Sequence, residues 1–350
     1  NRKVQCGSGE IEIRRPKVTG ACREFKSKVL TGWQRKSAQL LQVIPLLYLE
    51  GLSTRDFQRA LKPLWGESGL SRSSISRANR VIKESFAEWR KRNLRDEEVI
   101  YLFLDGYYLG VRMGVREKEG LLLAYGVSKD GKRVLLGVYL GGRESTESWK
   151  GVLNDLRERG LTPPKLVITD GNPGLLRALK EIWSEVLHQR CTVHKTRNVL
   201  ARVPKKHREE VKRALHRIFH AASLEDALSS ANEFQRKYGK LFPTATEVLA
   251  KGLSDCLTFF RYPERHWKRI RTSNVLERAF REIRRRTDVV GRFPNEGSAL
   301  SLVFGVLEED RLKWRGLRIG KEEQAQIDAA VLQLHREPLV IEWAELLEAA

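Results

Sequence analysis

Two runs, Val99-Ile-Tyr-Leu-Phe-Leu-Asp105 and Lys165-Leu-Val-Ile-Thr-Asp170, constrain the fold of this 350-residue chain more than any other feature. Each is almost unbroken apolar sequence that closes on an acid. Continuous rather than alternating apolarity marks a strand covered on both faces, and such strands need helices above and below them. The sequence between and after the runs supplies the rest. Tyr107 to Val115, Leu121 to Val127 and Val134 to Leu140 read as further strands, parted by the turn signals Glu117-Lys-Glu-Gly120 and Lys129-Asp-Gly131. A helix over about 145–159 carries Trp149, Val152, Leu153 and Leu156 on one face and stops at Gly160. A second helix over 173–184 and a short strand from Leu187 to Arg190 complete the set.

That order of elements is an α/β mixed sheet flanked by helices, in the sequence expected of an RNase H-like fold. The flanks differ in kind. Residues 1–15 alternate like a β-hairpin turning at Gly7-Ser-Gly9, and Pro16 ends it. From about 25 to 93 the periodicity is helical, with breaks at Glu50-Gly51-Leu52-Ser53 and Glu67-Ser68-Gly69-Leu70-Ser71 where Gly can leave one helix and Ser cap the next. This suggests a helix-turn-helix arrangement whose reading helix, Ser71 to Trp89, carries Arg72, Arg77, Arg80 and Lys83. The expected division is an N-terminal hairpin (1–20), a helical DNA-binding region (21–95), the first part of the core (96–204), an all-helical insertion (205–265), the rest of the core with its amphipathic helix near 272–286 and a following helix (266–315), and a helical tail (316–350).

Charge narrows the function. Sixty-five Lys and Arg against 44 Asp and Glu leave a net +21, and eight Trp, twelve Phe and regular aliphatic runs exclude a disordered basic tail. A folded surplus of this size points to a polyanion, because phosphate neutralisation with counterion release rewards it. A third of the surplus is concentrated between 261 and 292, which hold eleven Lys or Arg and four acids. Arg269, Arg271, Arg278, Arg281, Arg284, Arg285, Arg286 and Arg292 form the stripe expected to contact phosphates; a solvated helix face is the alternative. The longest apolar run, Leu40 to Leu49, contains Gln42 and Pro45 and is far short of the ~20 residues of a bilayer span. No secretory signal pattern opens the chain, and Cys6, Cys22, Cys191 and Cys256 are too sparse for a disulfide framework. A reducing compartment, the cytoplasm, is the expected location. The numbering opens on Asn1 and the only methionine is Met113, so sequence upstream of residue 1 is expected.

Asp105 and Asp170 both sit where a strand is expected to give way to a loop, the place where open α/β sheets form sites. Two carboxylates brought together repel unless a cation neutralises them. Mg²⁺ takes one or two carboxylates plus substrate phosphates, and a pair of ions clamps an in-line phosphoryl displacement. A third ligand is expected from the 272–286 helix, which offers Glu277 and Glu282. At about 100° per residue both lie roughly 110° from the centre of its apolar face, on opposite flanks, and periodicity does not choose between them. The stretch His188-Gln-Arg-Cys191-Thr-Val-His194 supplies at most three zinc ligands with no second close pair to complete a tetrahedron. Cys191 and His194 are therefore expected beside Asp170, at the end of a strand and the start of the next helix.

Four ordered motifs carry a family resemblance: Leu104-Asp105-Gly-Tyr-Tyr-Leu-Gly-Val-Arg112, Thr169-Asp170-Gly171-Asn-Pro-Gly174-Leu175, Gln189-Arg190-Cys191-Thr-Val-His194-Lys-Thr-Arg-Asn198 and Arg271-Thr272-Ser273-Asn274-Val-Leu-Glu277-Arg278. Together they resemble the mutator-type transposases of bacterial insertion sequences over about residues 1–315. The resemblance implies a DDE active site on an RNase H-like core, with Asp105, Asp170 and Glu277 as the acids and metal ligands and Cys191 and His194 as the family's Cys-x-x-His signature. It implies two Mg²⁺ ions, for which Mn²⁺ can substitute, and strand cleavage and transfer on double-stranded DNA at terminal inverted repeats and target. Arg112, Asn198, Asn274 and the arginine stripe would position that DNA, and the need to hold two ends implies a homodimer or larger assembly. The rival readings are a transposase-derived DNA-binding protein without catalysis, a nuclease or resolvase on the same fold, and, against the +21 charge, a glycosidase with paired carboxylates. The acidic segment from Lys321 to Ala350 matches none of these motifs.

Overall fold

The computed structural model describes residues 2–6, 9–14, 38–50, 52, 57, 72–108, 112–113, 120–141, 145–290, 292–293, 295–313, 316–339 and 341. The expected Gly-Ser break at 67–71 lies outside the described residues, as do the side chains of Arg72 and Arg112. The chain divides into two compact units: Asn1–Arg90 with Gly110–Arg116 and Glu282–Val306, and Lys91–Leu109 with Glu117–Arg281 and Leu307–Ala350.

The smaller unit opens with the expected hairpin, β1 (Arg2–Cys6) antiparallel to β2 (Gly9–Ile13), with Val4 opposite Ile11. Helix α1 (Ala38–Leu49) follows and accommodates Pro45. The expected single reading helix from Ser71 to Trp89 is two helices, α2 (Arg72–Ala78) and α3 (Arg80–Lys91), parted at Asn79. Asn79 is buried, and the chain there takes a turn in which the amide of Ile82 donates to the Asn79 carbonyl at 3.2 Å. Ile44, Phe57 and Ile75 make a small core, and Phe86 and Trp89 pack on Phe304 at centroid distances of 5.4 and 4.9 Å.

The larger unit holds the mixed sheet. The first buried run forms β3 (Val99–Tyr108), and the chain then passes to the smaller unit for the two-residue β4 (Arg112–Met113). β3 is longer than expected, because its ladder with β5 (Gly120–Ser128) continues to the pair Tyr108 and Gly120. Asp105 therefore sits within a strand rather than at its end, and Tyr107 belongs to the same strand. After β6 (Arg133–Gly141) comes α4 (Thr146–Glu158), capped by the Ser145 side chain. Then follow β7 (Leu166–Thr169), α5 (Pro173–Ile182), β8 (His188–Arg190) and α6 (Thr192–Leu200). The sheet order is β6-β5-β3-β7-β8, antiparallel across the first three strands and parallel across the last three.

Strand alternation assigns the two faces of β3 different work. Leu102 and Leu104 face the main core, where Trp149, Val152, Leu153 and Leu156 of α4 and Leu175, Ala178 and Leu179 of α5 are buried. Tyr101, Phe103, Asp105 and Tyr107 face the other way. The segment that follows α6 is helical: α7 (Arg208–Phe219), α8 (Leu224–Tyr238), α9 (Pro243–Ala250), α10 (Leu253–Leu257) and α11 (Glu264–Ile270). Tyr101 donates or accepts a hydrogen bond with His266 Nδ1 at 2.8 Å, and the ring of Tyr107 stacks 5.1 Å from that of Phe280.

Helix α12 (Asn274–Val290) runs four residues beyond the expected end. Its apolar face continues past Ile283 to the buried Arg286 and Thr287. A short β9 (Arg292–Phe293) pairs in parallel with β4, and α13 (Glu296–Lys313) follows. The tail that matched no motif forms α14 (Lys321–Arg336), docked on the larger unit. Ile327, Ala330 and Leu334 are buried, Asp328 pairs with Lys165 at 2.9 Å, and Leu317 donates to the Gly131 carbonyl at 3.0 Å.

Candidate active site

The turn after β7 is written in its sequence. Asp170 Oδ1 accepts from the Asn172 amide at 2.8 Å, Gly171 supplies a positive φ of 89°, Asn172 caps α5 by accepting from Gly174 and Leu175, and Pro173 opens the helix. A Cβ at position 171 would also come within 2.4 Å of Arg190 Nε, so the arginine side chain would have to move to admit it. One strand over, the Cys191 amide donates to the Thr169 carbonyl at 2.7 Å, which ties the start of α6 to the residue before Asp170.

On β3 Asp105 is only 6% exposed, and its Oδ1 accepts from the Gly106 amide at 2.8 Å. Its carboxyl is pushed up to about 8, first by burial and then by the neighbouring charge of Asp170, with His194 pulling the other way. The two aspartates are therefore close enough to feel one another. His194 is pushed up to about 9 by its hydrogen bond with Cys191, against the cost of burial, and both aspartates add to the rise. Burial raises the Cys191 thiol, but the His194 and Ser273 contacts outweigh it and leave the thiol below its ordinary value. The Ser273 amide donates to Cys191 Sγ at 3.3 Å and its hydroxyl lies 3.4 Å from His194 Nδ1. Thr192 donates through both its amide and its hydroxyl to the Arg271 carbonyl. These bonds pin the residues just before α12 against the start of α6.

The pinning brings Glu277, in the first turn of α12, to α6. Glu277 Oε1 lies 3.7 Å from His194 Nε2. Arg197, one turn along α6 from His194, grips the carboxylate in a fork, Nη1 to Oε1 at 2.8 Å and Nη2 to Oε2 at 3.3 Å. Glu282, its equal in periodicity, pairs instead with Arg285 at 3.1 Å. Asp105, Asp170 and Glu277 thus converge on one imidazole. They do not share one point: among the described residues no three His, Cys, Asp or Glu side chains stand together as ready metal ligands. Asp105 and Asp170 are the pair that fits a cation, since a buried carboxylate raised by its neighbour's charge is what a divalent ion relieves.

The expected phosphate contacts separate into groups. Asn198, Asn274, Arg278 and Arg281 are exposed in the larger unit, and Arg77, Arg80, Arg284 and Arg285 in the smaller. Arg80 also pairs with Glu84 at 3.1 Å. Two arginines depart from the exposed stripe. Arg286 has a side chain only 4% exposed and donates to Glu50 at 2.7 Å, while Arg271 donates to the Phe219 carbonyl at 3.3 Å and meets His220 Nδ1 at 3.0 Å. Sequence reasoning missed Arg197 and Ser273. Arg197 stands three residues after His194, the spacing that puts two side chains on one helix face, and that was the available signal.

The comparisons with known proteins come down on one side. Residues 1–316 match the family model described as "Transposase, Mutator family". The chain is 35% identical over 307 residues to the transposase for insertion sequence element ISRM5 of Rhizobium meliloti, covering 87% of this chain and 76% of that protein. It is 35% identical over 277 residues to the transposase for IS6120 of Mycolicibacterium smegmatis, covering 79% and 85%. Against the transposase for IS256 in transposon Tn4001 of Staphylococcus aureus the figures are 30% over 313 residues, covering 87% and 78%.

Proposed function

The chain belongs to the Mutator family of transposases, and from that premise we propose that Asp105, Asp170 and Glu277 are its DDE acids, cutting and joining DNA at the terminal inverted repeats of an insertion sequence. The observation that carries the assignment is the convergence of the three acids on His194, with the Asp105 carboxyl raised by burial and then by the charge of Asp170. The sheet order and the helices α7 to α11 between β8 and the helix of Glu277 support an RNase H-like core with a helical insertion.

Asp105 and Asp170 would hold the metal, and Glu277 would join them once released from Arg197. Two Mg²⁺ ions, or Mn²⁺ in their place, would supply Lewis-acid polarisation of the phosphate and a nucleophilic water or 3′-hydroxyl at neutral pH. The protein's own groups do the rest. His194, pushed up to about 9, carries a positive charge at neutral pH and offsets the acids around it. Until that release Arg197 holds the Glu277 carboxylate on α6 by its two parallel bonds. Asn198, Asn274, Arg278 and Arg281 would position the backbone, while Arg77 and Arg80 with Arg72 would read the repeat ends. Arg271 and Arg286, occupied inside the fold, are left out of that set. Holding two ends together calls for at least a dimer, acting on DNA in the cytoplasm.

The test is incubation of the purified protein with labelled DNA bearing the element's terminal repeat, with and without Mg²⁺ or Mn²⁺, beside Glu277→Gln. Metal-dependent nicking with joined products, lost in the variant, is the expected outcome. Cleavage without joining would replace the transposase reading with a nuclease, and salt-sensitive binding without cleavage would leave a DNA-binding protein.

A further inference from the structure

On the Asp105 face of the sheet, a cavity of about 190 Å³ lies in the larger unit between β3, β5 and β6 on one side and α11 and α12 on the other. Its walls are of two kinds. Phe103 and Tyr125, partners across the ladder and both nearly buried, supply the aromatic floor, and Lys268, Arg269 and Arg278 supply three cations at the rim, with Arg133 lining the cavity beside Tyr125. Among the described residues no carboxylate lines it. Arg133 is 5% exposed, and its guanidinium lies 4.0 Å from the centroid of the Tyr125 ring. Lys268, Arg269 and Arg278 carry like charge around one small cavity, and a guest that carries negative charge lowers their mutual repulsion. Aromatic walls ask for a guest that also has a flat π surface. A cavity of this size falls below the ~300–1,000 Å³ of drug-sized sites, which limits the guest to about one nucleotide and excludes a duplex.

We propose that this cavity is a nucleotide-binding subsite that takes a single unpaired base with its phosphate, the phosphate held by the arginines and lysine and the base received by Phe103 and Tyr125. Its place favours a base of the DNA strand over a free nucleotide. Phe103 precedes Asp105 by two residues on the same face of β3, about 6.6 Å along the strand, and Arg278 follows Glu277 directly on α12. A phosphodiester at the acids would thus have a neighbouring nucleotide within reach of the cavity. The preference for a strand rests on the proposed active site, whereas nucleotide binding itself does not.

The experiment uses the whole chain without metal. A single-stranded 12-mer carrying one 5-bromodeoxyuridine, and the same sequence as a blunt duplex, are photocross-linked and bound by anisotropy, with dTMP or inorganic phosphate as competitor. The expected result is a cross-link in the β5 segment that contains Tyr125 or at Phe103, from the single strand and not the duplex. Strand affinity should fall at least about tenfold in Lys268→Glu/Arg269→Glu, two exposed positions. Competition by dTMP at concentrations comparable to the strand's nucleotide content would assign the site to free nucleotides; weak competition by dTMP would assign it to the strand. Cross-links elsewhere in the wild type, or phosphate competing as well as dTMP, would overturn the proposal. Because no cleavage is read, a failure of the transposase assay leaves this result standing, and the reverse holds.

Discussion

Replacing Asp105 by Asn keeps the side chain's shape and removes its titration, and the consequence for stability follows from one shift. In the folded protein the Asp105 carboxyl is pushed up to about 8, mainly by burial and next by Asp170, whereas an unfolded Asp titrates near 3.9. Between those values the folded state keeps a proton that the unfolded state gives up. The stability this group contributes is therefore complete below about pH 4 and is lost as pH rises through 8, at about 1.4 kcal/mol per pH unit for one proton. His194 acts in the same direction but higher: raised to about 9 from 6.5, its contribution is complete below 6.5 and is lost as pH rises through 9. Asp105 is one cause of that rise, so the variant weakens it too. The window from about pH 5 to about pH 6.5 isolates Asp105. Across it the wild type should lose about 2 kcal/mol relative to Asp105→Asn, which for a unit of some 200 residues is roughly 4–8 °C in Tm. Thermal unfolding of both proteins with a chelator present reads this directly. Melting temperatures that shift in parallel over the window, leaving a constant gap, would refute the reasoning that Asp105 is buried as a proton-holding acid.

Two further outcomes test the packing and the latch on Glu277. Arg197→Ala removes both bonds to the carboxylate, but the arginine is largely exposed, so stability should change by no more than about 1 kcal/mol. Mn²⁺ affinity in the absence of DNA should rise, as calorimetry would show, because Glu277 becomes available to the aspartates; an unchanged or weaker affinity would mean that Arg197 does not compete for it. Trp149→Ala opens a void where α4 meets the sheet, and urea unfolding should register a loss of about 3–5 kcal/mol. A loss under about 1 kcal/mol would show that Trp149 is not part of a close-packed core.

The sheet and the turn at Asp170 are legible in the sequence because local chemistry writes them. Unbroken apolar runs have no other home than a doubly covered strand, and Asp-Gly-Asn-Pro encodes a side-chain-to-backbone bond, a positive φ, a cap and a first helical residue in succession. Asp105 is harder. An acid after six apolar residues looks like the end of a strand, yet the ladder with β5 carries on through Gly106, Tyr107 and Tyr108. The acid is tolerated mid-strand because its face of β3 looks away from the main core. The break at Asn79 carries neither Gly nor Pro and has no local signature. Glu277 and Glu282 cannot be separated on α12 alone, since they flank its apolar face symmetrically. The choice is made by α6, which meets one flank, and that is tertiary information. Arg286 is the instructive case among the cations. It continues the spacing of Leu276, Phe280 and Ile283, so position on the helix marks it for burial while its charge suggests the surface.

Burying acids together ordinarily costs several kcal/mol unless something balances them, and the site contains its own balance. Burial and then the charge of Asp170 push the Asp105 carboxyl up to about 8, so Asp105 keeps its proton through neutral pH. His194 feels both aspartates and stands 3.7 Å from Glu277, and Arg197 pairs with Glu277 directly. The positive groups come from a single helix, α6, at positions 194 and 197, while the acids come from β3, the end of β7 and α12. One helix therefore assembles a site whose other members are separated by up to 172 residues in sequence. The Arg197 fork holds the Glu277 carboxylate against α6. On the proposed reading, a cation entering this site would have to displace the Arg197 fork and the Asp105 proton.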